Sequence, residues 1–128
     1  MEATLKKKTT SSYDEALAKL SDALRTHGFG VVTELDVAQT LKQKLGVEFR
    51  RYKILGAFDP TLAHRALSAS LDVGVMFPRS IVIYEEDDGR ASVVVIDPMQ
   101  TAAAKNPPLV DVASSVKARL EQVLEQVA

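Results

Sequence analysis

An α+β fold, with a mixed, mainly antiparallel sheet and helices packed largely on one face, is the class this sequence predicts. Three observations point to it. Segments of helical apolar period alternate with short β-branched runs through the first 70 residues. A hairpin signal, Asp88-Gly89, then joins two apolar runs in succession, so the series does not continue as strand–helix units. A long amphipathic stretch closes the chain. The expected order is β-α-β-α-β-α-β-β-α, and residues 1–128 are expected to form one domain.

Thr4 to Thr10 is rich in Thr and Lys, lacks a helical period, and reads as a first, edge strand guarded by Lys6-Lys7-Lys8. In the segment that follows, Tyr13, Ala16, Leu17, Leu20, Ala23 and Leu24 share one helical face. Ser12 caps that helix, Asp14 and Glu15 suit its positive N-terminus, and Gly28 stops it. Phe29 to Glu34, with Val31, Val32 and Thr33, reads as a buried strand ending in Glu34-Leu35-Asp36. Asp36 then caps a short helix over 37–45, with Val37, Ala38, Leu41 and Leu45 on one face and Gly46 at its end.

Glu48 to Phe58 fits a strand that becomes continuously apolar as it proceeds. Asp59-Pro60 supplies N-cap and first residue of a third helix, whose inward face is Leu62, Ala63, Ala66, Leu67 and Ser70. LDVGVMFP is broken by Gly74 and stopped by Pro78, and is read as an irregular connector. Ile81–Tyr84 and Ser92–Ile96 form the hairpin strands, and Asp97-Pro98 ends the second. An Ala- and Pro-containing stretch leads to a final helix over about 109–127, burying Val112, Val116, Leu120, Val123 and Val127.

Composition narrows the chemistry. An apolar share of 46%, a charged share of 26% and a net charge of −1 describe a globular chain without the field that gathers phosphate backbones. No nucleic-acid partner is expected. The absence of cysteine removes disulfides and thiolates, and two histidines, His27 and His64, do not make a histidine-rich metal site, so no metal and no cofactor are expected. The N-terminus lacks a signal-peptide apolar region and no run is long enough to span a membrane, so a cytoplasmic location is expected. Walker, Rossmann, nucleophile-elbow and zinc-protease signatures do not occur.

What remains is a set of polar residues near strand ends: Glu34 and Asp36, Asp59, and Asp97, with Lys42, Tyr52 and Arg79 as sources of positive charge or a phenolic hydroxyl. If their turns share one end of the sheet, they form a site for a small polar ligand. Capping alone explains Asp36 and Asp59, and turn formation explains Asp97. Glu34, at the end of a Val-rich strand, calls for a partner or a shifted pKa.

Gly28-Phe29-Gly30, Glu34-Leu35-Asp36, Leu41-Lys42 through Lys44-Leu45-Gly46, Tyr52 with Ile54-Leu55-Gly56, and Asp97-Pro98 occur in the order seen in a known family. Over about residues 10–100 the chain resembles the domain of unknown function 302. The resemblance implies a small α+β protein, often thought dimeric, with no established activity. Where many relatives have Cys-Asn-Pro and Leu-Pro-Cys-Asn, this chain has Phe58-Asp59-Pro60 and Phe77-Pro78-Arg79-Ser80. Thiol chemistry implied by those cysteines does not transfer, and Asp59 and Arg79 are expected to face each other instead.

The expected function is a small-molecule-binding or accessory domain acting as a homodimer. The alternatives are an enzyme using Glu34 as acid or base, assisted by Tyr52 or Lys42, and a scaffold without a ligand.

Overall fold

The structure is a computed structural model and describes residues 4–105 and 107–128. The N-terminal Thr/Lys run forms β1 (Thr4–Ser12), followed by α1 (Tyr13–Thr26), β2 (Gly30–Asp36), α2 (Val37–Leu45), β3 (Tyr52–Phe58) and α3 (Pro60–Ala69). The hairpin β4 (Arg79–Glu85) and β5 (Arg90–Ile96) comes next, and α4 (Pro107–Val127) closes the chain. The expected order is the observed one. Leu71–Met76, read as an irregular connector, is a 3-10 helix, in keeping with a segment that Gly74 prevents from continuing as α-helix.

One five-stranded sheet runs β1-β5-β4-β3-β2, and all four of its pairings are antiparallel. The parallel component expected of a mixed sheet is therefore not among the described pairings. Register divides the side chains into two sets. Leu55, Ala57, Ile81, Ile83, Val93 and Val95 point to the helices and are buried. Ile54, Val82 and Val94 stand side by side on the opposite face and are half-buried.

The core forms where α1 and α4 cross the first face. Tyr13, Ala16, Leu20, Ala23 and Leu24 of α1 meet Val112, Val116, Leu120, Val123 and Val127 of α4 in the same buried cluster as the sheet. Burying each Leu or Val of this set contributes roughly 1.5–3 kcal/mol, so the helix–sheet seam dominates stability. Ser12 caps α1 by accepting from the Glu15 N–H at 3.3 Å, as expected. Among the described residues no helix is long and apolar enough to cross a membrane.

Two elements depart from expectation. β2 was expected to be buried and is the second edge of the sheet, with every residue from Gly30 to Leu35 exposed. A run of β-branched residues fits an edge as well as an interior, because sequence alone does not say whether the next layer belongs to the same chain. The helical apolar face of α2 likewise forms but buries none of its residues. The expected strand at Glu48–Arg51 is a loop, and β3 starts at Tyr52.

Candidate functional site

Antiparallel pairing decides which candidate residues meet. In this sheet the end of β2 lies beside the start of β3, while the ends of β3 and β5 lie beside the start of β4. The single polar cluster expected at one sheet end therefore divides in two. Glu34, Asp36, Lys42 and Tyr52 occupy one end, and Asp59, Arg79 and Asp97 the other. The expectation borrowed the geometry of parallel sheets, in which all strands end on the same side.

At the first end, charge is neutralised locally. Glu34 is exposed and pairs with Lys53 at 2.6 Å, which removes the buried carboxylate that an acid–base role requires. Asp36 caps α2 through the Gln39 N–H at 3.0 Å, and Lys42 pairs with Glu48 at 3.3 Å. Tyr52 stacks on Tyr84 with ring centroids 5.5 Å apart. Arg51 pairs with Asp14 at 2.5 Å and lies over the Tyr13 ring, whose hydroxyl is pushed up to about 12 chiefly by burial. Asp36, Lys42, Tyr52 and these neighbours line a basin of about 310 Å³ in which Lys42, Glu48, Arg51 and Lys53 are ion-paired and Asp36 is held by its cap bond.

At the second end the expected Asp59–Arg79 pair does not form. Asp59 accepts from the Thr61 and Leu62 N–H groups at 2.8 and 3.2 Å, capping α3, and pairs with Arg119 of α4 at 2.6 Å. Burial pushes the Asp59 carboxyl up, but the Arg119 hydrogen bond, the two cap bonds and the Arg119 charge outweigh it and hold it below the usual carboxylate range. Arg119 also donates to the His27 carbonyl and lies over the Phe29 ring at 4.5 Å. One guanidinium thus joins the end of α1, the approach to β2 and the start of α3.

Asp97 is handled in the same way. It caps the turn at Pro98 through the Met99 N–H at 2.9 Å and pairs with Lys117 of α4 at 2.9 Å. Burial raises its pKa, yet the Lys117 bond, the Met99 bond and the Lys117 charge leave it lowered. Neither Lys117 nor Arg119 was singled out from sequence. The available signal was that Arg119 lies seven residues after Val112 and four before Val123, so a cation sits beside the buried stripe of α4.

With both acids engaged elsewhere, Arg79 has no carboxylate partner among the described residues. Its Nε is buried without a hydrogen bond, and burial pushes its guanidinium below the usual arginine range. The side chain lies between the sheet and the helix layer. On one side is a narrow crevice walled by Ala66, Val73, Phe77, Leu109 and Val112; on the other is a cavity of about 220 Å³ lined by Val75, Met76, Ile81, Val95, Leu120 and Thr101. Phe58 packs edge-on against Phe77 with ring centroids 6.0 Å apart.

An antiparallel five-stranded sheet carrying helices on one face, with a half-buried arginine at a strand start whose Nε is shielded and unbonded, defines a small α+β domain. The chain belongs to the family described as Domain of unknown function DUF302, whose model matches residues 5–127. It is similar to a solved structure, an uncharacterized conserved DUF302 protein from Bacillus stearothermophilus. That similarity has 26% identity and a TM-score of 0.89, and covers 100% of each chain. No curated protein matches the chain. The family has no assigned activity, so the chemistry of the site has to carry the functional reading.

Proposed function

We propose that this chain is a small-molecule-binding domain, that residues 1–128 work as a unit, and that its ligand site is the cavity beside Arg79. The observation that supports this most is the Arg79 Nε, buried without a hydrogen bond on a half-buried side chain. Leaving a buried donor without an acceptor costs about 1–3 kcal/mol, more for a charged group, and Asp59 and Asp97 are already engaged. A ligand in the cavity supplies that acceptor. Val75, 92% exposed, stands at the cavity mouth, so a small molecule has a way in.

The working form in this proposal is a homodimer. The two sheet edges differ: β1 carries Lys6, Lys7 and Lys8, whereas β2 presents Gly30-Val31-Val32-Thr33 with no charge and no proline. Edges in monomeric proteins are guarded by such devices. Six of the nine exposed large apolar residues among those described, namely Val31, Val32, Leu35, Leu45, Val47 and Phe49, fall on β2, α2 or the loop after α2. A second copy meeting this limb is the proposed occupant, because two such edges can pair across a two-fold axis. The chain has no cysteine to protect or oxidise, and the cytoplasm is the compartment proposed for it.

Thermal-shift screening against a metabolite library tests the ligand reading, with Val75→Trp as the blocked control. At least one compound is expected to stabilise the protein, and the variant to lose that response while keeping its fold by circular dichroism. No stabilising compound, or an unchanged response in Val75→Trp, contradicts the reading. Light scattering tests the dimer: the unmodified protein is expected at twice the chain mass and Val32→Lys/Leu35→Lys at the chain mass, and a wild-type monomer defeats it.

A further inference from the structure

Resting on the Arg79 reading above, we infer that the cavity takes a small monocarboxylate with a compact apolar tail. Charge count comes first. The cavity presents one cation and no acid among its lining residues, so one negative charge balances it and two do not. Its other walls are mainly Val75, Met76, Ile81, Val95 and Leu120, which cannot hydrogen-bond a second anionic oxygen set. Of the two hydroxyl residues in the lining, Thr101 donates to the Pro98 carbonyl at 2.7 Å, and Ser80 is exposed to solvent at the rim.

Geometry and size then narrow the class. A guanidinium fork matches the two coplanar oxygens of a carboxylate, and such pairs are shorter and stronger than neutral hydrogen bonds. An apolar cavity of about 150 Å³ holds benzene, so a space of about 220 Å³ suits a ligand of roughly six to nine non-hydrogen atoms. The carboxylate lies against Arg79, and the hydrocarbon part lies on Ile81, Val95 and Leu120 beneath α4. A phosphate monoester carries more charge than this site compensates, and a neutral amide leaves the arginine charge unbalanced.

Isothermal titration calorimetry of the full chain with butyrate, benzoate, butyramide and inorganic phosphate tests the assignment, alongside Arg79→Met and Arg79→Lys. Methionine keeps the apolar stem of the half-buried side chain without its charge, a change that proteins often tolerate. Butyrate or benzoate is expected to bind saturably and butyramide and phosphate at least about tenfold more weakly, because a charged hydrogen-bond partner is lost or mismatched. Arg79→Met is expected to weaken the carboxylates by about 10- to 100-fold, and Arg79→Lys to keep part of the affinity.

Equal binding of butyramide, or unchanged carboxylate binding by Arg79→Met, overturns the inference. If phosphate or another library compound binds in a Val75-dependent way and carboxylates do not, the ligand class falls and the site reading stands. If neither carboxylates nor any library compound binds, both fall. A shift of the monomer–dimer balance in Arg79→Met with no ligand effect assigns the missing anion to a second copy and also overturns the inference.

Discussion

Replacing Arg119 by methionine removes the guanidinium that holds three elements together at one end of the sheet. Its Nη1 pairs with Asp59 at 2.6 Å, its Nε donates to the His27 carbonyl at 2.8 Å, and its plane lies over Phe29. The side chains of Arg119 and Asp59 are 23% and 11% exposed, so solvent screens this pair little. Breaking a buried pair by removing one partner costs about 3–5 kcal/mol. Asp59 retains its two cap bonds to Thr61 and Leu62, which places the expected loss near the lower limit, at about 3 kcal/mol. At about 2.1 cal/mol/K of unfolding entropy per residue, a chain of 128 residues converts that loss into about 11 °C of Tm. Urea denaturation and differential scanning calorimetry read the two quantities. Arg119→Lys keeps the charge without the fork and is expected to fall between. A loss below about 1 kcal/mol in Arg119→Met would refute the claim that this arginine is the staple of that end.

Two further outcomes follow from the same geometry. Asp59 and Asp97 both have carboxyls held below their usual range, so their folded pKa values lie below the unfolded ones. The stability they contribute is present above the unfolded carboxylate pKa of about 3.9 and is lost as pH falls through the folded values. Urea midpoints are expected to hold steady from neutral pH to about 5 and then fall, with Asp97→Asn flattening part of the fall; an unchanged profile in that variant contradicts the assignment. Gly56 is the second case. A Cβ there would run into Thr33 Oγ1 and come within 2.8 Å of Pro78 Cγ, so Gly56→Ala is expected to cost about 2 kcal/mol. The same change in a Thr33→Ala background is expected to cost clearly less, and equal costs would show that the crowding is not at Thr33.

The fold was readable where local chemistry and burial agree. Ser12, Asp36 and Asp59 cap the helices they precede, and the hairpin turns at Asp88-Gly89. The apolar stripes of α1 and α4 are the ones that form the core. Burial of β2 and α2 was not readable, because Val31, Val32 and Leu41 carry the pattern of a buried face whether a helix of the same chain or another surface covers it. The polar cluster failed for a different reason. Each of its members sits at a strand end, but which ends coincide depends on strand direction, and that is a property of the whole sheet. Arg79 was identified as a residue of interest through its place in the Phe77-Pro78-Arg79-Ser80 segment, yet its isolation depends on Lys117 and Arg119, some 40 residues further along the chain, claiming the nearby acids.

The most direct measurement of the central claim is the side-chain Nε–Hε resonance of Arg79 in a ¹⁵N-labelled sample, assigned by its loss in Arg79→Lys and followed during titration with butyrate. The Nε is buried and unbonded, so a ligand engaging this guanidinium changes its environment more than that of any exposed arginine. The account predicts a saturable shift of the Arg79 resonance together with backbone amides of Ile81, Val95 and Leu120, while Arg119 stays unchanged. A resonance that does not move while butyrate binds elsewhere, or does not bind at all, would contradict it.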